Sequence, residues 1–193
     1  MAEKQEIYLG NPNLKRANVN TSFSPEEVQK FIKCSQDPVY FIRNYIKIVN
    51  LDEGIVNFDL YDFQEDMVNR FHEHRFNIAK LPRQSGKSTV VTAYLLWYAI
   101  FNDNVNIAIL ANKAATAREM LGRLQLSYEN LPKWLQQGVV NWNRGSLELE
   151  RRRLFIRRTC SILLLGWKYL ASSRFRNYQC DYKRSIWCSS MYE

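Results

Sequence analysis

Leu81-Pro82-Arg83-Gln84-Ser85-Gly86-Lys87-Ser88 stands between a short apolar run, Phe76 to Leu81, and a long one, Thr89 to Phe101. Strand, tight loop with Gly-Lys-Ser, then helix is the layout of a phosphate-binding loop. In such a loop, backbone N–H groups and a helix N-terminus hold phosphates, a Lys reaches the terminal phosphates and a Ser hydroxyl reaches Mg²⁺. Lys87 and Ser88 fill those positions. Where the common pattern opens with a Gly, this chain has Leu81. The plainer alternative is a Gly-Lys-Ser turn at the start of an ordinary buried helix, with Ser88 as a polar first-turn residue.

Downstream, the helix from Ser88 to Phe101 is apolar nearly all round, which implies burial on several sides. Asn102-Asp103-Asn104 ends it. Val105 to Leu110 has the make-up of a strand in a buried parallel sheet. Ala114 to Asn130 reads as a helix with Ala117, Met120, Leu121, Leu124 and Tyr128 on one face, stopped by Leu131-Pro132. Val139 to Trp142, the turn Asn143 to Ser146, and Leu147 to Leu149 read as a hairpin. Strand, loop, helix, strand, helix around a phosphate loop is the opening half of an α/β sheet fold.

Upstream, Asp62 is expected to cap a helix with Glu65 as its box partner, and Phe63, Met67 and Phe71 share one face. Phe63-Gln64 precedes Lys87 by about twenty residues. An aromatic-Gln pair at that place can serve adenine, the ring by stacking and the amide by pairing with a donor and an acceptor on the base. The alternative is that Phe63 is core and Gln64 an exposed helix residue. His72 and His74 are two apart, point different ways on a helix, and have no ligand pattern around them; they read as exposed helix-end residues.

Residues 1–20 are polar and read as an extended arm with a short strand at Ile7 to Leu9. Ser24-Pro25-Glu26-Glu27 is a helix start, with Ser24 as N-cap, Pro25 in the first helical position and Glu27 completing a capping box. That helix is expected to run to about Lys33. Asp37-Pro38 starts another, with Phe41, Ile42, Tyr45 and Ile46 apolar. Cys34, between them, reads as a packed thiol. Ile48 to Leu60 is broken at Asp52-Glu53-Gly54, with a strand after the turn.

At 193 residues, 46% hydrophobic and 24% charged, the chain has the make-up of one soluble globular domain. Its N-terminus has no apolar core of signal-peptide length, and Thr89 to Phe101 is too short to span a bilayer. A cytoplasmic protein with four reduced cysteines is the expectation. The net charge of +8 is unevenly placed. Residues 1–150 carry 17 basic and 17 acidic side chains, whereas residues 151–193 carry 10 and 2 and hold Cys160, Cys180 and Cys188.

GNPNLKRAN at residues 10–18, YDFQEDM at 61–67, LPRQSGKSTVV at 81–91, NIAILANKAATAREMLGRL at 106–124 and LPKWLQQGVVNWNRGSLELE at 131–150 resemble successive segments of the large terminase subunit of T-even-like tailed phages. That subunit is the motor that packages DNA into a prohead. The resemblance covers about residues 10–150. The family's own phosphate loop reads Arg-Gln-x-Gly-Lys-[Ser/Thr] without the leading Gly, as does Arg83 to Ser88. It implies an α/β, P-loop NTPase domain of the helicase or RecA-like parallel-sheet type over residues 23–150, incomplete here, with a helical N-terminal region behind an arm at 1–22. It implies ATP and Mg²⁺ as cofactors. Lys87 would neutralise the β- and γ-phosphates and Ser88 would hold the metal. Arg83 would stabilise charge on the γ-phosphate, and Gln84, Ser85 and Gly86 would complete the cradle. Phe63 and Gln64 would contact adenine. Tyr61 and Asp62 sit in the same segment without a physical case for contact. Lys113 is a candidate DNA contact. The implied partners are double-stranded viral DNA, the portal protein and the small terminase subunit, in the host cytoplasm, with no membrane.

After Glu150 the resemblance gives way to a basic, aromatic tail. The family's next strand ends in an acidic pair that organises Mg²⁺ and the attacking water, but residues 151–193 hold only Asp181 and Glu193 as acids. The expectation is an out-of-frame stretch, and a chain that binds ATP but hydrolyses it poorly. The alternative is a genuine nucleic-acid-binding tail, with Arg151 to Arg153, Arg157 and Arg158 on phosphates and Trp167, Tyr169 and Tyr178 stacking on bases. A helicase-like ATPase, or a non-enzymatic nucleic-acid-binding protein acting through the tail, are the competing functions.

Overall fold

Local chemistry starts the first two helices where the sequence says it should. In the computed structural model, α1 spans Pro25–Gln36. Ser24 Oγ accepts from the Glu27 N–H at 3.3 Å, and Glu27 Oε2 accepts from the Ser24 N–H at 2.8 Å. α2 follows at Pro38–Tyr45, where Asp37 Oδ1 accepts from the Tyr40 N–H at 3.0 Å. α1 is about a turn longer than expected, and it places Cys34 fully buried inside its last turn. The structure describes residues 7–19, 22–50, 52–103, 105–111, 113–150, and the backbone of 152–156 and 187–189.

The arm is a hairpin, β1 at Ile7–Tyr8 and β2 at Asn11–Lys15. Its two turn residues both have positive φ, Leu9 at 46° and Gly10 at 80°, as a type I′ turn requires. The arm is docked rather than free. Leu14 is buried, Gln136 Nε2 donates to Asn13 O at 2.9 Å, and Arg16 bridges to Val139 in parallel. A Cβ on Gly138 would lie 2.5 Å from the Ala17 Cα, so glycine there lets the two backbones cross.

β3 at Lys47–Asn50 and β4 at Gly54–Asn57 form an antiparallel pair, and α3 runs from Asp62 to Glu73. After the loop come α4 at Lys87–Phe101, β5 at Asn106–Leu110 and α5 at Ala114–Glu129. β6 at Val139–Trp142, β7 at Ser146–Leu149 and β8 at Arg152–Ile156 form an antiparallel meander. β8 and β9, the latter at Trp187–Ser189, both pair with β5 in parallel. The five-stranded sheet has the order β6-β7-β8-β5-β9. The architecture is mixed α/β.

α4 is the centre of the core. Val90, Leu95, Leu96 and Ile100 are at most 1% exposed. Each fully buried side chain of this size contributes roughly 1.5–3 kcal/mol. Ala117, Met120, Leu121, Leu124 and Tyr128 of α5 are all buried, as their spacing requires. Trp97 Nε1 donates to Cys34 O at 2.7 Å, tying α4 to α1 in the interior. Among the described residues, no helix is long and apolar enough to cross a membrane.

Two expectations fail. The apolar run Phe76 to Leu81 is not a strand: residues 77–82 have no regular pairing, and Phe76 and Ile78 are 78% and 101% exposed. An apolar run becomes a strand only when neighbours supply ladder partners, and β5 pairs with β8 and β9 instead. The N-cap of α3 is Tyr61, not Asp62, and the side chain that returns to it is Gln64, not Glu65. Glu65 bonds Arg43 at 2.9 Å, across to α2. The tail residues named above, Cys160, Trp167, Tyr169, Tyr178, Cys180, Asp181 and Glu193 among them, lie outside the described residues.

Candidate nucleotide site

The loop closes on itself through its own carbonyls. Pro82 O accepts from Ser85 Oγ at 2.9 Å and from Lys87 Nζ at 3.3 Å; Leu81 O accepts from Lys87 Nζ at 3.0 Å. Lys87, with no carboxylate partner among the described residues, thus lies folded across the loop it belongs to. Gln84 and Gly86 both have positive φ, 62° and 73°. Left-handed residues between right-handed ones turn successive N–H groups toward one side, a concavity suited to an anion.

Gly86 is the N-cap of α4 and has no side chain to cap it. The Gly86 carbonyl accepts from the Thr89 and Val90 N–H groups at 3.0 Å. No side-chain cap serves the Lys87 and Ser88 N–H groups, and no acidic residue stands in the first turn. A Lys at the positive end of an uncapped helix is locally unfavourable. An anion at that place would relieve it. The Ser88 hydroxyl is half-buried and makes no hydrogen bond with any described residue; its carbonyl accepts from Thr92 Oγ1 at 2.7 Å. Arg83 is exposed and likewise has no hydrogen-bond or ionic partner among the described residues.

Gln64 brings the start of α3 to the loop. It is 2% exposed; its Oε1 accepts from the Tyr61 N–H at 3.2 Å and its Nε2 donates to Ser85 O at 3.1 Å. A Cβ on Gly86 would sit 2.7 Å from that Nε2. So Gly86 serves two needs, a left-handed backbone and room for the Gln64 amide. Beside this junction is a cavity of about 550 Å³, walled by Ile48, Phe58, Tyr61, Phe63, Pro82 and Gly86 among others.

The structure therefore brings Phe63, Gln64, Gln84, Ser85 and Gly86 to one cavity, with Lys87 and Ser88 on the adjoining helix start. Arg83, Lys87 and Ser88 do not line it. Tyr61, to which sequence reasoning gave no contact, also lines the cavity, and its ring stacks on Phe63, centroids 5.9 Å apart and planes 8° from parallel. Its signal was its place in the extended residue before α3, two before Phe63, where both rings can lie side by side. Among the described residues, no group of three or more His, Cys, Asp or Glu is placed to hold a metal ion. His72 instead meets the Trp97 ring edge-to-face at 5.3 Å.

The family model for the T4-type terminase large subunit, N-terminal region, matches residues 78–175. The match takes in the loop, α4, β5, α5 and the meander, and continues past Glu150. It begins downstream of Phe63 and Gln64. With half of its length matched, the chain belongs to the N-terminal family of T4-like terminase large subunits.

Proposed function

We propose that this chain is an ATP-binding portion of a phage DNA-packaging motor, of P-loop NTPase fold, and that residues 81–88 hold the triphosphate. The observation that carries the reading is Lys87: an ammonium at the uncapped N-terminus of a buried helix, resting on loop carbonyls 3.0 and 3.3 Å away. A phosphate is a stronger partner for it than a neutral carbonyl. On this reading Lys87 leaves Leu81 O and Pro82 O for the β- and γ-phosphates, and the Lys87 and Ser88 N–H groups bind phosphate oxygens. Arg83, exposed and unpaired among the described residues, stabilises charge developing on the γ-phosphate. Gln84, Ser85 and Gly86 shape the cradle. Phe63 stacks on adenine, and Gln64 stands between the base and the loop.

Mg²⁺ fits this set through the Ser88 hydroxyl, which has no protein partner among the described residues. The ion characteristically keeps few protein ligands and arrives on substrate phosphates, where it offsets their charge. The family implies ATP hydrolysis, double-stranded DNA as the translocated substrate, and the portal and small terminase subunit as partners, in the host cytoplasm. Lys113, the exposed residue before α5, is proposed as a DNA contact.

Photolabelling with 8-azido-ATP and mapping the modified peptides tests the placement. Label on the segments 61–64 or 81–89, displaced by unmodified ATP, is the expected result. Label confined to other segments, or insensitive to ATP, refutes it.

A further inference from the structure

Two exposed turns of opposite charge are each held in shape by an asparagine. The first is the tip of the β3–β4 hairpin. Asn50 Oδ1 accepts from the Asp52 N–H at 3.2 Å, and Gly54, at φ 76°, completes the turn. Asp52 and Glu53 are exposed there, and neither has an ionic partner among the described residues. Behind them Val49 and Ile55 stand opposite one another across the ladder and share a face, 58% and 54% exposed. The hairpin is a two-stranded sheet of its own, an element that gains stability from anything packed against it. The second turn joins β6 to β7. Asn143 Oδ1 accepts from the Gly145 and Ser146 N–H groups at 2.8 and 2.6 Å, and Gln125 Nε2 donates to Asn143 O at 3.0 Å, which fastens the turn to α5. Between this turn and α5 is a cleft of about 420 Å³. Arg118 and Arg144 line it, with no carboxylate partner among the described residues. Glu119, also in its wall, is already held by Arg123 at 2.6 Å. Ala115 and Gly122 keep the helix side low, and a Cβ on Gly122 would meet nothing within 4 Å. Glycine inside a helix is destabilising relative to alanine, and no packing among the described residues requires this one.

We propose that this cleft is a docking site for a second copy of the chain, and that its occupant is the β3–β4 tip. Asp52 and Glu53 meet Arg118 and Arg144, while Val49 and Ile55 cover Ala115 and Gly122. Charge and apolar surface together favour this occupant. A nucleic-acid phosphate would satisfy the two guanidiniums but leave Val49 and Ile55 bare; the tip brings carboxylates and an apolar pair at once. Guanidinium–carboxylate pairs are charge-assisted and can be bidentate. Both turns are fixed before they meet, so contact orders little backbone. The proposal does not depend on the nucleotide site.

The test is a charge swap read by sedimentation velocity on the full chain at low ionic strength, where surface charges are least screened. Four samples are compared: the unaltered protein, Arg118→Glu with Arg144→Glu, Asp52→Lys with Glu53→Lys, and an equimolar mixture of the two altered proteins. Each altered protein alone sets like charge against like and is expected to self-associate at least about tenfold more weakly. The mixture regains association, because the lysines of one protein face the glutamates of the other. Added salt weakens the unaltered contact. All four side chains are exposed, so the melting temperatures stay the same. Should a reversal disturb folding, Val49→Ser probes the apolar half of the contact and is expected to weaken association by about threefold. Three results overturn the proposal: an unaltered chain that stays monomeric, association that neither reversal changes, or a mixture as dissociated as its components. Loss of double-stranded DNA binding in the arginine variant with self-association intact overturns it too, and assigns the cleft to phosphate.

Discussion

Replacing Gly86 by Ala should unsettle the loop through two separable effects. The first is the backbone: at φ 73°, an L-residue with a Cβ costs roughly 1–2 kcal/mol. The second is the Gln64 amide, 2.7 Å from where the new methyl would sit. A flexible side-chain end would ordinarily swing away at little cost. Gln64 cannot, because it is 2% exposed and bonded at 3.2 and 3.1 Å to Tyr61 and Ser85. Moving it forfeits the bond to Ser85 O, about 1 kcal/mol. The single variant should therefore lose ~2–3 kcal/mol in urea unfolding, as a lower midpoint with an unchanged slope. In a Gln64→Ala background the clash is gone and only the backbone term, roughly 1–2 kcal/mol, remains. The double-mutant cycle should show a coupling of about 1 kcal/mol, with the double variant more stable than additivity allows. Additivity within roughly 0.5 kcal/mol would refute the argument that Gly86 makes room for Gln64.

Gln84→Gly relieves a left-handed residue at φ 62° whose side chain is exposed. After the entropy that Gly adds to the unfolded chain, it should raise the urea-derived stability by about 0.5–1 kcal/mol; a loss would show that the Gln84 side chain supports the empty loop. Burial, and then the neighbouring Asp37, push the Cys34 thiol up from about 9 to about 12. The folded chain then keeps a proton that the unfolded chain releases, so this contribution is whole below pH 9 and is lost as pH rises toward 12, by up to ~4 kcal/mol. Cys34→Ala should flatten the alkaline limb of a stability–pH curve relative to the unaltered chain, and an identical limb would contradict the assignment.

What was legible in the sequence was local. The Ser24 capping box, the buried face of α5 and the Val139–Leu149 hairpin each depend on residues within a few positions of one another, and each appears as read. The misreadings needed distant information. Phe76 to Leu81 has a strand's composition, but whether it pairs depends on strands more than twenty residues away, and those pair with one another. Asp62 and Glu65 satisfy the spacing of a capping box, yet Gln64 takes the role because its amide also reaches Ser85, 21 residues on. The loop was legible as a turn at a helix start, through Gly-Lys-Ser and the apolar run that follows it. Its internal arrangement was not: the left-handed Gln84 and the folded-back Lys87 are properties of three-dimensional closure. Tyr61 carried little weight in the sequence, because its signals were only its place before α3 and two residues ahead of Phe63, and the stacking of the two rings shows only in three dimensions.

Isothermal titration with Mg·ATP, comparing the unaltered chain with Lys87→Ala, bears most directly on whether residues 81–88 hold a triphosphate. A charge-assisted contact of this kind is worth roughly 1.5–3 kcal/mol, or about 10- to 150-fold in affinity. Saturable binding to the unaltered chain that falls by at least about tenfold in the variant, with both proteins folded, is the expected outcome. Equal affinity in the two proteins, or no binding to the unaltered chain, would contradict a phosphate-binding role for this loop.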